Sequence, residues 1–565
     1  MRPSGAGSRP DFRPHGRNSL LPERLPRGFA EEKGMRGRDD FWTYCLICIA
    51  LILLFLNLGT RPLFGAEGRW AEGAREMILR NSWFVPTINF HPHITKPLLP
   101  FWFIRISEKI GAFNELSVRI PGAILAFLSF LSMVSISRRL FTKPFDLVSP
   151  FIFLTSWGFA SFARLSQSEI FQLFGITVAL VAYLIFMKDT SFPGYLLFWL
   201  GLVWGGLSKG HTAFAAGIFP VLFDTIINRR FYHLNLKNLL AFTIASAIYF
   251  LPFVGTAIEL KSNLPFHLLI RENLQQAIRP YDNIRPFYIY FYYWPAWLAP
   301  WCIFLPLSLW WGIKNFGALN ERTKFLLIAN IVIFCIFTLA KARRSYYILP
   351  ILPYSTLLIA AYLENNWNEI LKKVCEFLSI LLFIALSLSP FFIWLCLPLY
   401  YRSPVPHAVI IASLIIAVIG GILFFMKDKL GLFKMALYVA LMEVLFLCFL
   451  QPYFSTRSQK EIAFLAKECL NQMEANKTPR LCAYKGLVAN VYFYLDIRDA
   501  VPVYDSFDLA LRECDLILGS KKSLMRVMPE GRLVCREGLR GRKAYCFVAR
   551  DDCKIVKEGQ RWTGH

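Results

Sequence analysis

The chain has 565 residues, 56% of them hydrophobic and 18% charged, with a mean hydropathy of +0.44. These values lie well off the averages for water-soluble domains and exclude a purely soluble globular protein. The 62 Lys and Arg against 38 Asp and Glu leave a net charge of +24, which suits cationic loops retained on the cytoplasmic side of a membrane better than a nucleic-acid surface.

Residues 1–40 are rich in Arg, Pro and Gly and contain neither an apolar stretch nor a small-residue cleavage site. They read as a disordered basic cytoplasmic tail rather than a signal peptide. An apolar run needs roughly 20 residues to cross about 30 Å of hydrocarbon, and Phe41 to Gly59 is the first that qualifies. Further runs centre near residues 128, 154, 178, 201, 220, 248, 300, 332, 355, 386, 416 and 442. The expected architecture is an all-α polytopic membrane protein of about 13 transmembrane helices over 41–452, followed by a small soluble domain over 453–565. With the basic tail inside, the loops holding Arg138-Arg139, Lys188, Arg229-Arg230, Lys314 to Lys324, Lys372-Lys373 and Lys427 to Lys429 also fall inside. Both long loops, 60–117 and 258–286, and the C-terminus then lie on the outer face.

Seven cations break that pattern by standing at outward-facing junctions: Arg164, Lys209, Arg279, Arg285, Lys341, Arg343 and Arg344. Snorkelling at helix ends accounts for single cases. As a group they suit an anionic ligand at the membrane boundary, such as a lipid phosphate.

Within the first outer loop, Glu72, Arg75, Glu76 and Arg80 recur at helical spacing, while Trp70, Ala74, Met77 and Ile78 form an apolar side. The pattern predicts an amphipathic helix lying on the bilayer. Glu67 stands at the entrance to that helix, where an acidic group is well placed for catalysis. Lys96 follows, ahead of an aromatic and Pro-rich segment. His91 and His93 are metal-ligand types without a nearby carboxylate, which leaves a divalent metal open and no cofactor required.

The second outer loop carries Arg279-Pro-Tyr-Asp282 and Arg285-Pro, and by itself reads as a polar connector. The aromatic run from Tyr288 to Trp301 suits an interfacial helix, with Tyr288 and Tyr292 expected near the cavity. Beyond Gln451 a helical stretch at Ser458–Ala475 and apolar runs at Leu481–Tyr484, Val488–Leu495 and Asp515–Leu518 predict a small α/β or α+β domain. Cys469, Cys482, Cys514, Cys535, Cys546 and Cys553 lie there without a CxxC pair; disulfides of open connectivity, or buried free thiols, are the two readings.

Several ordered motifs resemble a known family. They are Ala66-Glu67-Gly-Arg69-Trp-Ala-Glu72-Gly-Ala-Arg75-Glu76-Met77, Val85-Pro86, Lys96-Pro97 with Phe101-Trp102, Ser168-Glu169 after Ala163-Arg164, and Leu207-Ser-Lys209-Gly210. Pro286-Phe287-Tyr288 with Pro300-Trp301, and Lys341 through Tyr347-Ile-Leu-Pro350 with Pro353, complete the series. Together, across residues 41–450, they resemble the GT-C superfamily of lipid-linked sugar transferases, in particular the bacterial lipid A aminoarabinose transferases and protein O-mannosyltransferase-like relatives.

The resemblance implies inverting transfer of a sugar from a polyprenyl phosphate to a lipid, glycan or protein hydroxyl, on the outer face of the cytoplasmic membrane. It makes Glu67 the base and gives Glu169 a place across the cavity. Lys96, Lys209 and Lys341 become donor-phosphate ligands, assisted by Arg69, Arg343 and Arg344. It also likens 258–286 to a mobile loop that orders over the donor, with Arg279, Asp282 and Arg285 in it. Two positions depart from the family: Ala66 stands where its catalytic Asp belongs, and Thr95 where relatives place a Glu. Either Glu67 replaces the Asp, or the activity is altered or lost. The rival classes are a transporter or flippase of lipid-linked substrates and a non-catalytic lipid-phosphate-binding relative; charges clustered at one face argue against transport.

Overall fold

The computed structural model describes residues 32–186, 189–272, 279–280, 283–401, 405–425, 431–453, 459–473, 479–527, 534–535 and 545–549. Residues 1–31 of the expected tail, Lys188, Asp282, Lys427 to Lys429 and Cys553 lie outside the described residues. Two compact units divide between Ile47 and Cys48. The first supplies the N-terminal part of α1 (Glu32–Phe55), which begins nine residues before the expected first span.

In the second unit the chain runs through α2 (Glu67–Leu79), the short pair β1 (Thr87–Ile88) and β2 (His91–Pro92), α3 (Leu99–Gly111) and α4 (Glu115–Leu140). There follow α5 (Val148–Leu154), α6 (Trp157–Ala163), α7 (Ser168–Ile185), α8 (Phe192–Lys209), α9 (Thr212–Ile227), α10 (Leu236–Leu260) and α11 (Leu264–Ile270). Among the described residues, eight helices are long and apolar enough to cross a membrane. Every one of the thirteen apolar runs contains helix, but several helices are short or interrupted. For example, α5 and α6 meet at a 55° bend, and the run near residue 300 is divided between Ile289–Leu298 and Phe304–Lys314.

Local chemistry sets the starts of several spans. Asn114, Asn235 and Asn320 stand in extended conformation, and each side-chain oxygen accepts the amide three residues on, at 2.9, 3.0 and 2.9 Å. An Asn in that place satisfies an amide that no helical carbonyl reaches. Glycine sets the closest helix pairing. A Cβ added at Gly201 would lie 2.7 Å from the Gly175 carbonyl oxygen and 2.8 Å from the Ala179 amide, so α7 and α8 pack backbone against backbone. Because the two run antiparallel, the start of α7 is held beside the end of α8.

The C-terminal region forms a five-stranded mixed sheet, ordered β4 (Val503–Tyr504), β3 (Leu481–Tyr484), β5 (Leu516–Ser520), β7 (Tyr545–Ala549), β6 (Val534–Cys535). Strand β3 pairs parallel with β4 and β5, whereas β7 pairs antiparallel with β5 and β6. The helices Lys460–Met473 and Ala489–Leu495 accompany it.

This sheet and the 60–117 segment share one core. Trp70, Ala74 and Met77 of α2 and Phe101 and Ile104 of α3 pack with Ile462, Val491, Tyr494, Leu516 and Phe547. The apolar side of α2 is therefore not laid on the bilayer, as its periodicity predicts, but is covered by protein. Polar ties reinforce the seam: Arg75 pairs with buried Glu72 at 2.8 Å, reaches Asp496 at 3.2 Å and donates to the Ile497 carbonyl at 2.9 Å. The Asn89 amide group exchanges hydrogen bonds with the Val501 backbone at 2.7 and 2.9 Å.

Candidate active-site cavity

A cavity of about 450 Å³ opens among α2, the Lys96 segment, the start of α7, the end of α8, α9, α10 and the turn before Tyr347. Its polar part is lined by Arg69, Lys96, Glu169, Lys209 and Arg344, and Phe219, Tyr249, Phe253, Leu268 and Phe337 supply apolar wall. One region of the cavity thus favours an anion and another favours hydrocarbon.

Glu169 lies in the first turn of α7 and is 7% exposed, and Lys209 is the last residue of α8. The glycine-packed helix pair brings Glu169 Oε1 to 3.2 Å from Lys209 Nζ. The same ammonium lies over two aromatic rings, 4.5 Å from the centroid of Tyr346 and 5.0 Å from that of Tyr347. Arg344 donates to the Tyr346 hydroxyl at 2.8 Å and to the Asn283 side-chain oxygen. Burial lowers the pKa of the Arg69 guanidinium, an effect that Tyr346 and Glu169 oppose and Arg344 reinforces.

Glu67 is not in the cavity wall. It is fully buried, and its carboxylate meets Arg119 in a bidentate pair, Nε to Oε1 at 2.8 Å and Nη2 to Oε2 at 2.9 Å. The Phe64 and Ser166 amides donate to the same two oxygens at 2.8 and 3.0 Å. Burial by itself would raise this carboxyl, but Arg119, the Ser166 amide and Arg61 together hold it below the usual range. A carboxylate so engaged has no free lone pair aimed at a substrate. The structure does not bring Glu67, expected as base, into the cavity: its neighbours Ala66 and Arg69 line the wall, whereas Glu67 is turned to Arg119.

The seven cations expected at outward-facing junctions separate into three kinds. Lys209 and Arg344 line the cavity. Arg164 and Arg343 are spent on backbone, Arg164 donating to the Leu53 and Leu56 carbonyls at 2.7 Å each and Arg343 to Thr338 and Arg285. Arg279, Arg285 and Lys341 are exposed and outside the wall. Tyr288 and Tyr292, expected near the cavity, are 60% and 68% exposed and do not line it; Tyr288 precedes and Tyr292 lies within the short helix Ile289–Leu298. Asp282 lies outside the described residues.

Among the described residues no three His, Cys, Asp or Glu side chains converge as metal ligands. His91 is exposed, and His93 is half-buried with its pKa lowered to about 4 by burial and by the neighbouring Arg69 and Lys96. One residue escaped the sequence reading: Arg119, which carries a signal of its own, a lone cation inside an otherwise apolar span. Glu272, from the Arg271-Glu-Asn stretch of the 258–286 loop, is a second acidic group in the wall.

The family model described as dolichyl-phosphate-mannose-protein mannosyltransferase matches residues 95–256. An uncharacterized protein of Aquifex aeolicus is 27% identical over 62% of this chain and 68% of its own. Undecaprenyl phosphate-alpha-4-amino-4-deoxy-L-arabinose arabinosyl transferases of Serratia proteamaculans and Aeromonas salmonicida are 26% and 27% identical, over 61% and 60% of this chain. The chain spans 63% and 65% of the length of those two relatives. The crystal structure of ArnT from Cupriavidus metallidurans bound to undecaprenyl phosphate superposes with a TM-score of 0.71, at 18% identity, over 90% of this chain and 98% of that one.

The chain therefore shares the fold of that ArnT structure, and the family model matches only the stretch 95–256 within it. In sequence, the chain resembles the undecaprenyl phosphate-alpha-4-amino-4-deoxy-L-arabinose arabinosyl transferases.

Proposed function

We propose that this chain is a membrane glycosyltransferase that moves a sugar from an undecaprenyl-type polyprenyl phosphate to a hydroxyl of a lipid A-like lipid, a glycan or a protein. The observation that carries this reading is the Glu169–Lys209 pair in a cavity that also holds Arg69, Lys96 and Arg344 beside an apolar wall. Glu169 takes the proton of the acceptor hydroxyl as its oxygen attacks the anomeric carbon. The bond from that carbon to the phosphate oxygen breaks on the opposite side, giving inversion. Lys209, Arg69, Lys96 and Arg344 neutralise the charge that gathers on the departing phosphate. A phosphate leaves without a strong general acid.

The same reading has thirteen membrane crossings, with the cavity and C-terminal sheet on the periplasmic face of the inner membrane. Cysteine usage supports that side. Cys482 is bonded to Cys514, and Cys469 and Cys546 are also in disulfides, whereas the free cysteines among the described residues all lie before Gln451. Disulfides persist in oxidising compartments.

A second reading, a lipid-phosphate-binding protein without transferase activity, draws on Ala66 and on the sequestration of Glu67. One experiment separates them. Purified protein is incubated with a panel of undecaprenyl-phosphate sugars and membrane extracts, comparing wild type, Glu169→Gln and Lys209→Met. Transfer by wild type that is lost in Glu169→Gln supports the enzyme; undecaprenyl phosphate binding without any transfer supports the second reading.

A further inference from the structure

Arg343 was expected among the phosphate ligands, yet its side chain never reaches the cavity. It is committed to carbonyl oxygens on two separate stretches of chain. Nε and Nη2 donate to Thr338 at 3.1 and 2.9 Å, while Nη1 donates to Arg285 at 2.6 Å. Its backbone amide donates to the Asn283 carbonyl at 2.8 Å, and Ile284 and Ala342 form an isolated antiparallel bridge. The returning end of the second outer loop is thereby stapled to the turn that leaves Leu339.

Both strands of this staple present a residue to the cavity. Asn283 and Arg344 line the wall, and the Arg344 guanidinium is held by the Asn283 side chain on one side and the Tyr346 hydroxyl on the other. A planar guanidinium has donors in a fixed fork, which suits it to clamp several carbonyls at once; an ammonium on a flexible stem does not reproduce that geometry.

We propose that Arg343 is a positioning residue, which fixes the Asn283–Arg285 segment and through it sets Asn283 and Arg344 for the anionic group of the ligand. It rests on the reading that the cavity takes a polyprenyl phosphate. Arg343 itself does not touch that ligand.

The test uses the full chain in detergent micelles, with undecaprenyl phosphate as probe, and compares Arg343→Gln, Arg343→Lys, Asn283→Ala and the Arg343→Gln/Asn283→Ala double variant. Hydrogen exchange reads the staple directly. Faster exchange of the Arg343 region and of residues 283–285 in both Arg343 variants, with the lipid-free melting temperature unchanged, is expected. Affinity for undecaprenyl phosphate falls about tenfold in Arg343→Gln, is not restored by Lys, and does not fall further in the double variant, because both changes release one linkage. Unchanged exchange, or wild-type affinity in Arg343→Gln, overturns the proposal, as does full additivity of the two changes. If wild type binds no undecaprenyl phosphate, the polyprenyl-phosphate reading of the cavity fails and the positioning role with it. Exchange then still decides whether Arg343 forms the staple.

Discussion

Glu67 and Arg119 form a bidentate ion pair at 2.8 and 2.9 Å, with the two side chains 0% and 1% exposed. Arg119 also donates to the carbonyls of Leu58, Arg61 and Pro62. The pair therefore ties the turn ahead of α2 to α4. Across the same junction the Tyr494 hydroxyl accepts the Leu63 amide at 2.7 Å and donates to Glu115 at 3.1 Å, which Lys460 meets at 2.6 Å. The C-terminal region is thus continuous, through hydrogen bonds, with the turn that presents Ala66 and Arg69.

Removing one partner of this pair strands the other in a dry site. Glu67→Ala and Arg119→Met should each lose about 3–5 kcal/mol of stability, read as lower melting temperatures and weaker expression. Replacing both at once should recover part of that loss. A Glu67→Gln protein that keeps its melting temperature but loses all transfer would return Glu67 to the catalytic role.

Lys209→Met should act on ligand binding as well. It removes a cation from the cavity and leaves Glu169 without its partner, so affinity for undecaprenyl phosphate should drop about tenfold or more, beyond what any lowering of the melting temperature explains. Titration of wild type and variant with the lipid checks this. Equal affinities would show that the phosphate is held elsewhere.

The α7–α8 contact tests how that pair is positioned. At Gly201 a larger side chain meets backbone, not a flexible neighbour. Gly201→Val should cost roughly 1–3 kcal/mol or more and should lower transfer beyond what the stability loss explains, because the Glu169–Lys209 distance depends on the same contact. Substitution at Gly421, where an added Cβ meets nothing within 4 Å, serves as the control.

His93 gives a pH prediction outside the spans. Its pKa is lowered to about 4 in the folded chain from an ordinary 6.5, so the unfolded chain takes up a proton first as pH falls. The stability linked to His93 is complete above about pH 6.5 and is lost progressively as pH drops through about 4, on the order of 3 kcal/mol at most. In thermal melts between pH 7 and 4, wild type should therefore lose stability relative to His93→Gln as pH falls. Parallel curves would show that His93 is not held neutral.

Loss of the Cys482–Cys514 bond, by reduction or by a double Ser substitution, should cost about 2–4 kcal/mol. Maleimide labelling of denatured, unreduced protein should mark Cys45, Cys302 and Cys448 but not Cys482 or Cys514. Labelling of Cys482 without reductant would remove the support that cysteine usage gives to a periplasmic C-terminus.

Much of the fold was legible because its signals are local. Twenty apolar residues in succession specify a span wherever they stand, and β3, at Leu481–Tyr484, coincides with a run visible as a composition change. Glu169, Arg69, Lys96, Lys209 and Arg344 were likewise reachable as ordered motifs, and the cavity gathers all five. Less was visible where a side chain's fate depends on a distant partner. Arg343 and Arg344 are adjacent in sequence and equal in charge, yet one grips carbonyls and the other lines the cavity. The amphipathic pattern of α2 announced an apolar partner without saying whether it was lipid or the C-terminal sheet.

The sequence by itself determined a series of long apolar helices, a C-terminal region of different composition and a stock of acidic and basic groups beside the helix ends. Only the tertiary structure decided which carboxylate faces the cavity. Successive residues at a helix start point about 100° apart, so Ala66 and Arg69 share the cavity side while Glu67 between them turns to Arg119. Glu169 reaches Lys209 across forty residues of chain because glycine lets two antiparallel helices touch.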